Sequence, residues 1–283
     1  MSRVVLQKLL HRGLSEMILE RGYDQVGGFV VEAAAATELR TPAALRAAYG
    51  IAEDGVASVD VVRFVTPACA ALTAPPGVER PWPSYPQGFL QPVAGVIVPV
   101  WVLSTTRFSP GAEVWRIHAD GTQEMLASYG GAARGWSGAR EWRPASRYYG
   151  TRALWQGTEY AADVDGEDVA LTSFVEPEGD GWSQQRPATW SRVVGLADGE
   201  VYELDFSASL QGVPVRVLEV IGGDVRLEVE GDDPQVAEQL GAGMIDFGRF
   251  ELSGVPGALL TQTQLVAHQL APAGATPGAS PAL

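Results

Sequence analysis

Cysteine and lysine each occur once among the 283 residues, as Cys69 and Lys8. One cysteine excludes an internal disulfide framework and any zinc site built from several thiolates. Its setting, Thr66-Pro67-Ala68-Cys69-Ala70-Ala71-Leu72, is apolar and predicts a small buried side chain, not a nucleophile. With Lys8 the one lysine, a Walker-type phosphate loop is excluded, and no G-x-G-x-x-G occurs either. Gly27-Gly28 therefore reads as a turn entering a strand. Histidine is nearly as scarce: His11, His118 and His268 stand in unrelated contexts without H-E-x-x-H spacing, so neither a metal nor another cofactor is expected. No G-x-S-x-G elbow is present and no serine has an evident local triad partner, which favours a protein that is not an enzyme. The longest apolar run, Val93 to Leu103, is interrupted by Gly95 and Pro99 and falls short of the roughly 20 residues that span a bilayer. Charges at Lys8, Arg12, Glu16 and Glu20 leave no apolar signal core. A soluble, cytoplasmic protein is the expectation.

Acid is what the chain has in excess. The formal charge of −14 is unevenly placed: residues 1–150 hold 14 Lys+Arg against 13 Asp+Glu, whereas residues 151–270 hold 6 against 21. Such a field repels nucleic-acid phosphates and anionic lipid and attracts a basic protein, which is the predicted partner. An apolar fraction of 46% is that of a globular chain, and 33 Gly with 19 Pro suit short strands joined by tight turns. The fold class read from the pattern is α+β and β-rich. An N-terminal helix-plus-antiparallel-sheet domain covers 1–147, two small SH3-like β units cover 148–205 and 206–262, and a disordered Ala/Pro/Gly tail covers 263–283.

Along the first part, Leu6, Leu9, Leu10, Leu14, Met17 and Ile18 take helical spacing and predict a helix from Val4 to Arg21, closed by Gly22. Thr41-Pro42 starts a second helix running to Tyr49. Strands are expected over 59–65 and 96–103, with a hairpin of 112–117 and 123–129 turned at Asp120-Gly121. Between them, Pro75 to Pro92 carries Trp82 and Tyr85 among prolines and reads as a rigid connector or a ligand-contacting loop.

Residues 153–260 repeat. Ala153-Leu154-Trp155-Gln156-Gly157 and Asp168-Val169-Ala170-Leu171 are answered by Ala208-Ser209-Leu210-Gln211-Gly212 and Asp224-Val225-Arg226-Leu227. Each copy predicts strands joined at Gln-Gly and at a second glycine turn, and the second adds a short helix from Pro234 capped by Asp232 or Asp233. The acidic residues on this part form the candidate partner-binding face: Asp163, Asp165, Glu167, Asp168, Glu228, Glu230, Asp232 and Asp233. Carboxylates at glycine turns suit solvation better than acid-base chemistry, which needs a desolvating pocket. Ahead of the repeats, Arg134, Trp136, Arg140, Trp142, Arg143, Arg147 and Tyr148 interleave arginine with aromatics. They form either a ligand site or an interdomain contact, and the acid beside them favours the latter.

Two resemblances attach to these residues. Ser104-Thr105-Thr106, at the end of an apolar strand, resembles the Ser-Thr-Ser segment of mono-ADP-ribosyltransferases, which implies a dinucleotide site using Ser104 and Thr105 with Arg63 upstream. The downstream Glu-x-Glu that such enzymes need is missing from the first half; Glu228-Val229-Glu230 lies in the second repeat and reads as an outward strand face. The repeats themselves, through Trp155-Gln156-Gly157-Thr158-Glu159-Tyr160, Gln211-Gly212-Val213-Pro214-Val215, Leu240-Gly241 and Gly248-Arg249-Phe250-Glu251, resemble tandem small-β-barrel repeats of high-GC bacterial proteins. Some of those are encoded near polymorphic secreted toxins, including NAD-glycohydrolase toxins. That resemblance implies an immunity or accessory role and carries over no active site. A structural protein whose repeats dock onto its own copies is a further reading.

Overall fold

The computed structural model describes residues 4–51, 56–67, 72–73, 90–230 and 233–269. Cys69, Trp82, Tyr85, Asp232 and the tail beyond Gln269 lie outside the described residues, and with them the expectations placed there. Two antiparallel sheets make up the molecule.

The first sheet begins with β1 (Val5–Leu9), where a helix was expected; α1 is confined to Arg12–Arg21. Leu6 and Leu9 satisfy helical spacing, yet the segment lies between two partner strands and buries both its faces, so Gln7 and Lys8 are covered along with the leucines. His11 caps α1 by accepting the Gly13 N–H, and Gly22 closes it in the left-handed conformation. β2 (Gln25–Glu32), α2 (Pro42–Ala48), capped by Thr41, and β3 (Ser58–Val65) follow. Next come β4 (Leu72–Thr73), β5 (Trp101–Arg107), β6 (Glu113–His118), β7 (Gln123–Tyr129) and β8 (Trp136–Ser137). The spatial order is β4-β5-β2-β1-β3-β6-β7-β8. Alternate residues feed two cores: Leu6, Val30 and Val62 pack with α1 through Leu14 and Ile18, whereas Leu9, Val31 and Val61 pack with α2 through Leu45 and Ala48. Thr105 and Thr106 continue β5 instead of ending it, because Pro99 delays the strand's start.

The repeats build the second sheet. Copy one gives β9 (Tyr149–Trp155), β10 (Thr158–Asp165), β11 (Asp168–Ser173), β12 (Ser183–Arg186) and β13 (Thr189–Gly195). After the 3-10 turn Leu196–Asp198, copy two gives β14 (Glu200–Leu210), β15 (Val213–Ile221), β16 (Asp224–Val229), α3 (Pro234–Leu240), β17 (Gly243–Asp246) and β18 (Arg249–Pro256). A second 3-10 turn, Gly257–Leu259, leads into β19 (Leu260–Gln269), which occupies the start of the expected tail. The Gln-Gly turns hold φ 49° and 78° at Gln156-Gly157 and 53° and 85° at Gln211-Gly212, the positive pairs of type I′ hairpin turns. β14 pairs with β9 over its first half and with β15 over its second, so one 11-stranded sheet, curled as a half-barrel, runs through both copies.

The two sheets meet along a buried seam of charge. Lys8 Nζ lies 2.9 Å from Asp246 Oδ2, both side chains fully buried, and donates to the carbonyls of Phe29 and Phe247. Arg249, also fully buried, binds Glu228 at 3.0 Å and Glu251 at 3.2 Å, and the Thr105 hydroxyl donates to Glu228 from across the seam at 2.6 Å. Thr106 and Thr151 donate to Glu203, and Arg107 binds Asp163 at 3.0 Å. Close approach demands glycine: a Cβ on Gly27 would stand 2.4 Å from Thr105 Oγ1, and one on Gly28 2.7 Å from the Phe247 carbonyl.

Removing one buried partner strands the other. Lys8→Met should cost about 3–5 kcal/mol in urea denaturation, whereas Lys8→Met with Asp246→Leu should recover most of that loss. The pH response should divide along the seam. Burial holds the Asp24 carboxyl above its ordinary range, where it accepts from Tyr129 and Tyr149. Its stabilising contribution is present below the ordinary carboxylate range, about pH 4, and is lost as pH rises through the raised folded value. Burial also opposes ionisation of Glu228, but Arg249 and Arg216 outweigh it and hold that carboxyl low. Its contribution is present above the ordinary range and is lost as pH falls through the depressed value. Asp24→Asn should therefore raise the urea midpoint at neutral pH, and Glu228→Gln should lower it there with an effect that fades on acidification.

Candidate functional site

The residues of the first repeat that face solvent are gathered by its hairpin registers. Asp165 pairs across the turn with Asp168, Asp168 pairs with Gly195, and the Leu196 N–H donates to the Glu167 carbonyl at 2.7 Å. Asp198 accepts from the Gly195 N–H at 2.9 Å, which pins the 3-10 turn to the end of β13. Asp165, Glu167, Asp168 and Asp198 are thereby collected, all exposed, at one end of three neighbouring strands. Beside them is a shallow depression of about 580 Å³, bordered by Trp155, Gln156, Asp168, Arg192, Val193 and Asp198. The Arg192 guanidinium lies 4.5 Å above the Trp155 ring, and Trp155, Tyr160 and Trp182 pack with centroids 5.2 to 6.5 Å apart. Val193 is 64% exposed. On the opposite face of β9 from Trp155, Leu154 has Glu159 opposite it on β10 and Glu200 opposite it on β14, all three exposed. An aliphatic and aromatic patch rimmed by carboxylates can seat an apolar anchor and surround it with counter-charges for basic side chains.

The other expected face residues divide. Asp163 and Glu228 are corrections: both are buried and committed within the seam, Asp163 to Arg107 and the Ala132 N–H, Glu228 to Arg249 and Thr105, so neither can meet a partner. Strand parity put Asp163 with Asp165, and Glu228 with Glu230, on common faces; Asp165 and Glu230 reach solvent because they stand at strand ends. Glu230 is exposed beyond the end of β16, and Asp233 caps α3 by accepting the Gln235 N–H at 2.8 Å. Both belong to the second copy, apart from the cluster on the first. The arginines of this half add to the contrast. Arg152 and Arg249 are buried, and Arg216 and Arg226 retain only 13% and 14% side-chain exposure, so four of the six point inward. Among the described residues 151–269, thirteen carboxylates are exposed.

The arginine and aromatic residues ahead of the repeats do not converge on one pocket. Trp136 is buried in the first core, its indole N–H donating to the Tyr23 carbonyl. Arg140 pairs with Glu20 at 2.9 Å on the surface, and Arg147 is exposed. Arg134 donates to Gln185, Arg186 stands over Trp142, Trp142 packs on Phe174, Arg143 reaches Glu219 at 3.3 Å, and Tyr148 stacks on Phe206. These contacts tie the connecting segment to the repeats.

The dinucleotide reading loses its geometry. Thr105 and Thr106 are buried with their hydroxyls given to Glu228 and Glu203, Ser104 lies within β5, and β2 and β1 separate that strand from Arg63 on β3. Arg63 itself binds Gln7 and Gln123 and lies over Trp115. His11 caps a helix, His118 lies 3.6 Å from Glu124 and His268 3.4 Å from Asp205, and no group of three metal-binding side chains forms among the described residues. No family model, curated protein or solved structure matches this chain. Val193, Arg192 and Asp198 were not singled out from sequence; the exposed valine beside an acidic 3-10 turn was the available signal.

Carboxylates of the seam and of the face should be separable by stability alone. Asp163→Ala leaves Arg107 buried without its carboxylate and should cost about 3–5 kcal/mol. Asp168→Ala should stay within about 0.5 kcal/mol of the parent in the same denaturation assay.

Proposed function

We propose that the chain is a non-enzymatic binding protein that docks a basic protein partner on the acidic end of its first repeat. The observation that carries this reading is the inward turn of four of the second half's six arginines while, among the described residues, thirteen of its carboxylates remain exposed. Among the described residues of that half, the thirteen exposed carboxylates face only two partly exposed arginines, Arg186 and Arg192, so the outer field is strongly negative. Val193 and Trp155 supply the apolar anchor that charge alone would lack, and Asp165, Glu167, Asp168 and Asp198 supply the surrounding contacts. Encounter with such a partner is steered by the field and held by the anchor.

The resemblance of the two copies to tandem small-barrel repeats, read as SH3-like docking modules, supports the more specific reading of a cytoplasmic immunity or accessory protein that neutralises a bacterial toxin by occlusion. Occlusion of the toxin's working surface is the proposed mechanism.

A fluorescent peptide of alternating arginine and leucine serves as a defined probe, followed by anisotropy. Affinity should fall roughly tenfold between about 50 and 300 mM salt as the charges are screened. The pair Asp168→Asn and Asp198→Asn should weaken binding and flatten the salt response, and Val193→Ala should weaken binding while leaving the salt response intact. Equal binding by all variants would remove this face from the reading. Co-expression with the product of the adjacent gene then tests neutralisation directly, with restored growth expected for the parent and loss of rescue for the Asp168/Asp198 pair.

A further inference from the structure

Among the described residues, β19 is the one long strand of the second sheet whose two faces are both open. It pairs with β14 along nearly its whole length, from Tyr202 opposite Gln269 to Leu210 opposite Leu260, and with no other strand among the described residues. Leu265 is 61% exposed, and eight of the ten residues from Leu260 to Gln269 are exposed. A left-handed Gln262, at φ 50°, and a register shift opposite Ser207 to Ser209 kink its beginning, which leaves Gln264 to Gln269 as a regular free edge.

Its place in the repeat says what is missing. β14 follows the 3-10 turn Leu196–Asp198 and β19 follows the 3-10 turn Gly257–Leu259, so β19 stands where a third copy would begin. The strands that open the first two copies have partners on both edges: β9 lies between β10 and β14, and β14 between β19 on one side and β9 with β15 on the other. β19 has its inner neighbour and, among the described residues, no outer one.

Charge selects the occupant. Edge strands are ordinarily guarded by lysine, inward charge or proline. Leu-Thr-Gln-Thr-Gln-Leu-Val-Ala-His-Gln carries no Asp, Glu, Lys, Arg or Pro, in a chain of net charge −14. Two copies of so acidic a chain can approach closely only on a neutral strip, and this is one. A basic partner, by contrast, finds nothing on it to read. We infer that β19 is a self-association edge: two copies pair β19 to β19 antiparallel about a two-fold axis near Val266 and Ala267, extending each second sheet into the other. The contact is isologous and closed, so it stops at a dimer.

Sedimentation velocity on the full chain tests this. The parent, of 30.0 kDa, should sediment as a species of twice that mass at about 100 µM. The dimer fraction should rise as salt is raised toward about 0.5 M, because screening relieves the repulsion between copies. That sign is opposite to the one expected for a basic partner on the first repeat, so the two readings fail independently. Leu265→Lys with Ala267→Lys places the missing guards on one exposed face and should return the protein to monomer, with an unchanged far-UV spectrum and unchanged urea midpoint at low concentration. Exchange protection of amides in residues 264–269 should rise with protein concentration in the parent and stay constant in the variant. A parent that remains monomeric at high salt, a dimer that the lysine pair leaves intact, or association that grows past two copies would each overturn the inference.

Discussion

The pairing of buried arginine and lysine with buried carboxylates along the seam is the constraint on which the rest of the structure depends. Arg249 with Glu228 and Glu251, Lys8 with Asp246, and Arg107 with Asp163 are all removed from water. Such pairs add little net stability over a well-packed apolar contact, since their attraction is set against desolvation of both ions. What they supply is uniqueness. An apolar interface tolerates a sliding contact; a guanidinium held between two carboxylates does not, and a shift of an ångström leaves several charges unpaired at once. Gly27 and Gly28 serve the same end by bringing the β2 backbone close enough for Thr105 and Phe247 to be touched.

The seam also accounts for the surface. Arginine drawn inward cannot neutralise acid outside: four of this half's six arginines are covered together with seven of its carboxylates, and among the described residues thirteen exposed carboxylates remain against two partly exposed arginines. Arg216, for instance, is spent on Asp205 through two contacts of 2.9 Å.

Legibility followed how local each signal was. Hairpins closed by Gln-Gly and Asp-Gly were readable because the turn conformation is dictated by the residues in it. The helix cap at Thr41 was readable for the same reason, and that of α3 was narrowed to Asp232 or Asp233, of which Asp233 accepts the Gln235 N–H. β1 was misread because Leu6, Leu9 and Leu10 satisfy a helical period, while what makes the segment a strand is the pair of neighbours supplied by residues 25–32 and 58–65. β19 was read as tail since a strand exposed on both faces has no alternation of apolar and polar residues to betray it. Asp163 and Glu228 were placed on the outer face because parity within one strand says which residues share a side and not which side is covered. That information lies in Arg107 and Thr105, on the other sheet.

Lys8 has a consequence outside folding. Its ammonium is the one primary amine among all the side chains, and it is enclosed with Asp246 on one side and the Phe29 and Phe247 carbonyls on the others. The folded protein therefore shows lysine-directed chemistry no target on its side chains. Acylating agents, ubiquitin-transferring enzymes and amine-reactive dyes all require an exposed, nucleophilic nitrogen, and tryptic cleavage of the native surface can proceed only at arginine. A chain so rich in exposed acid has in effect dispensed with the readily modified cationic side chain.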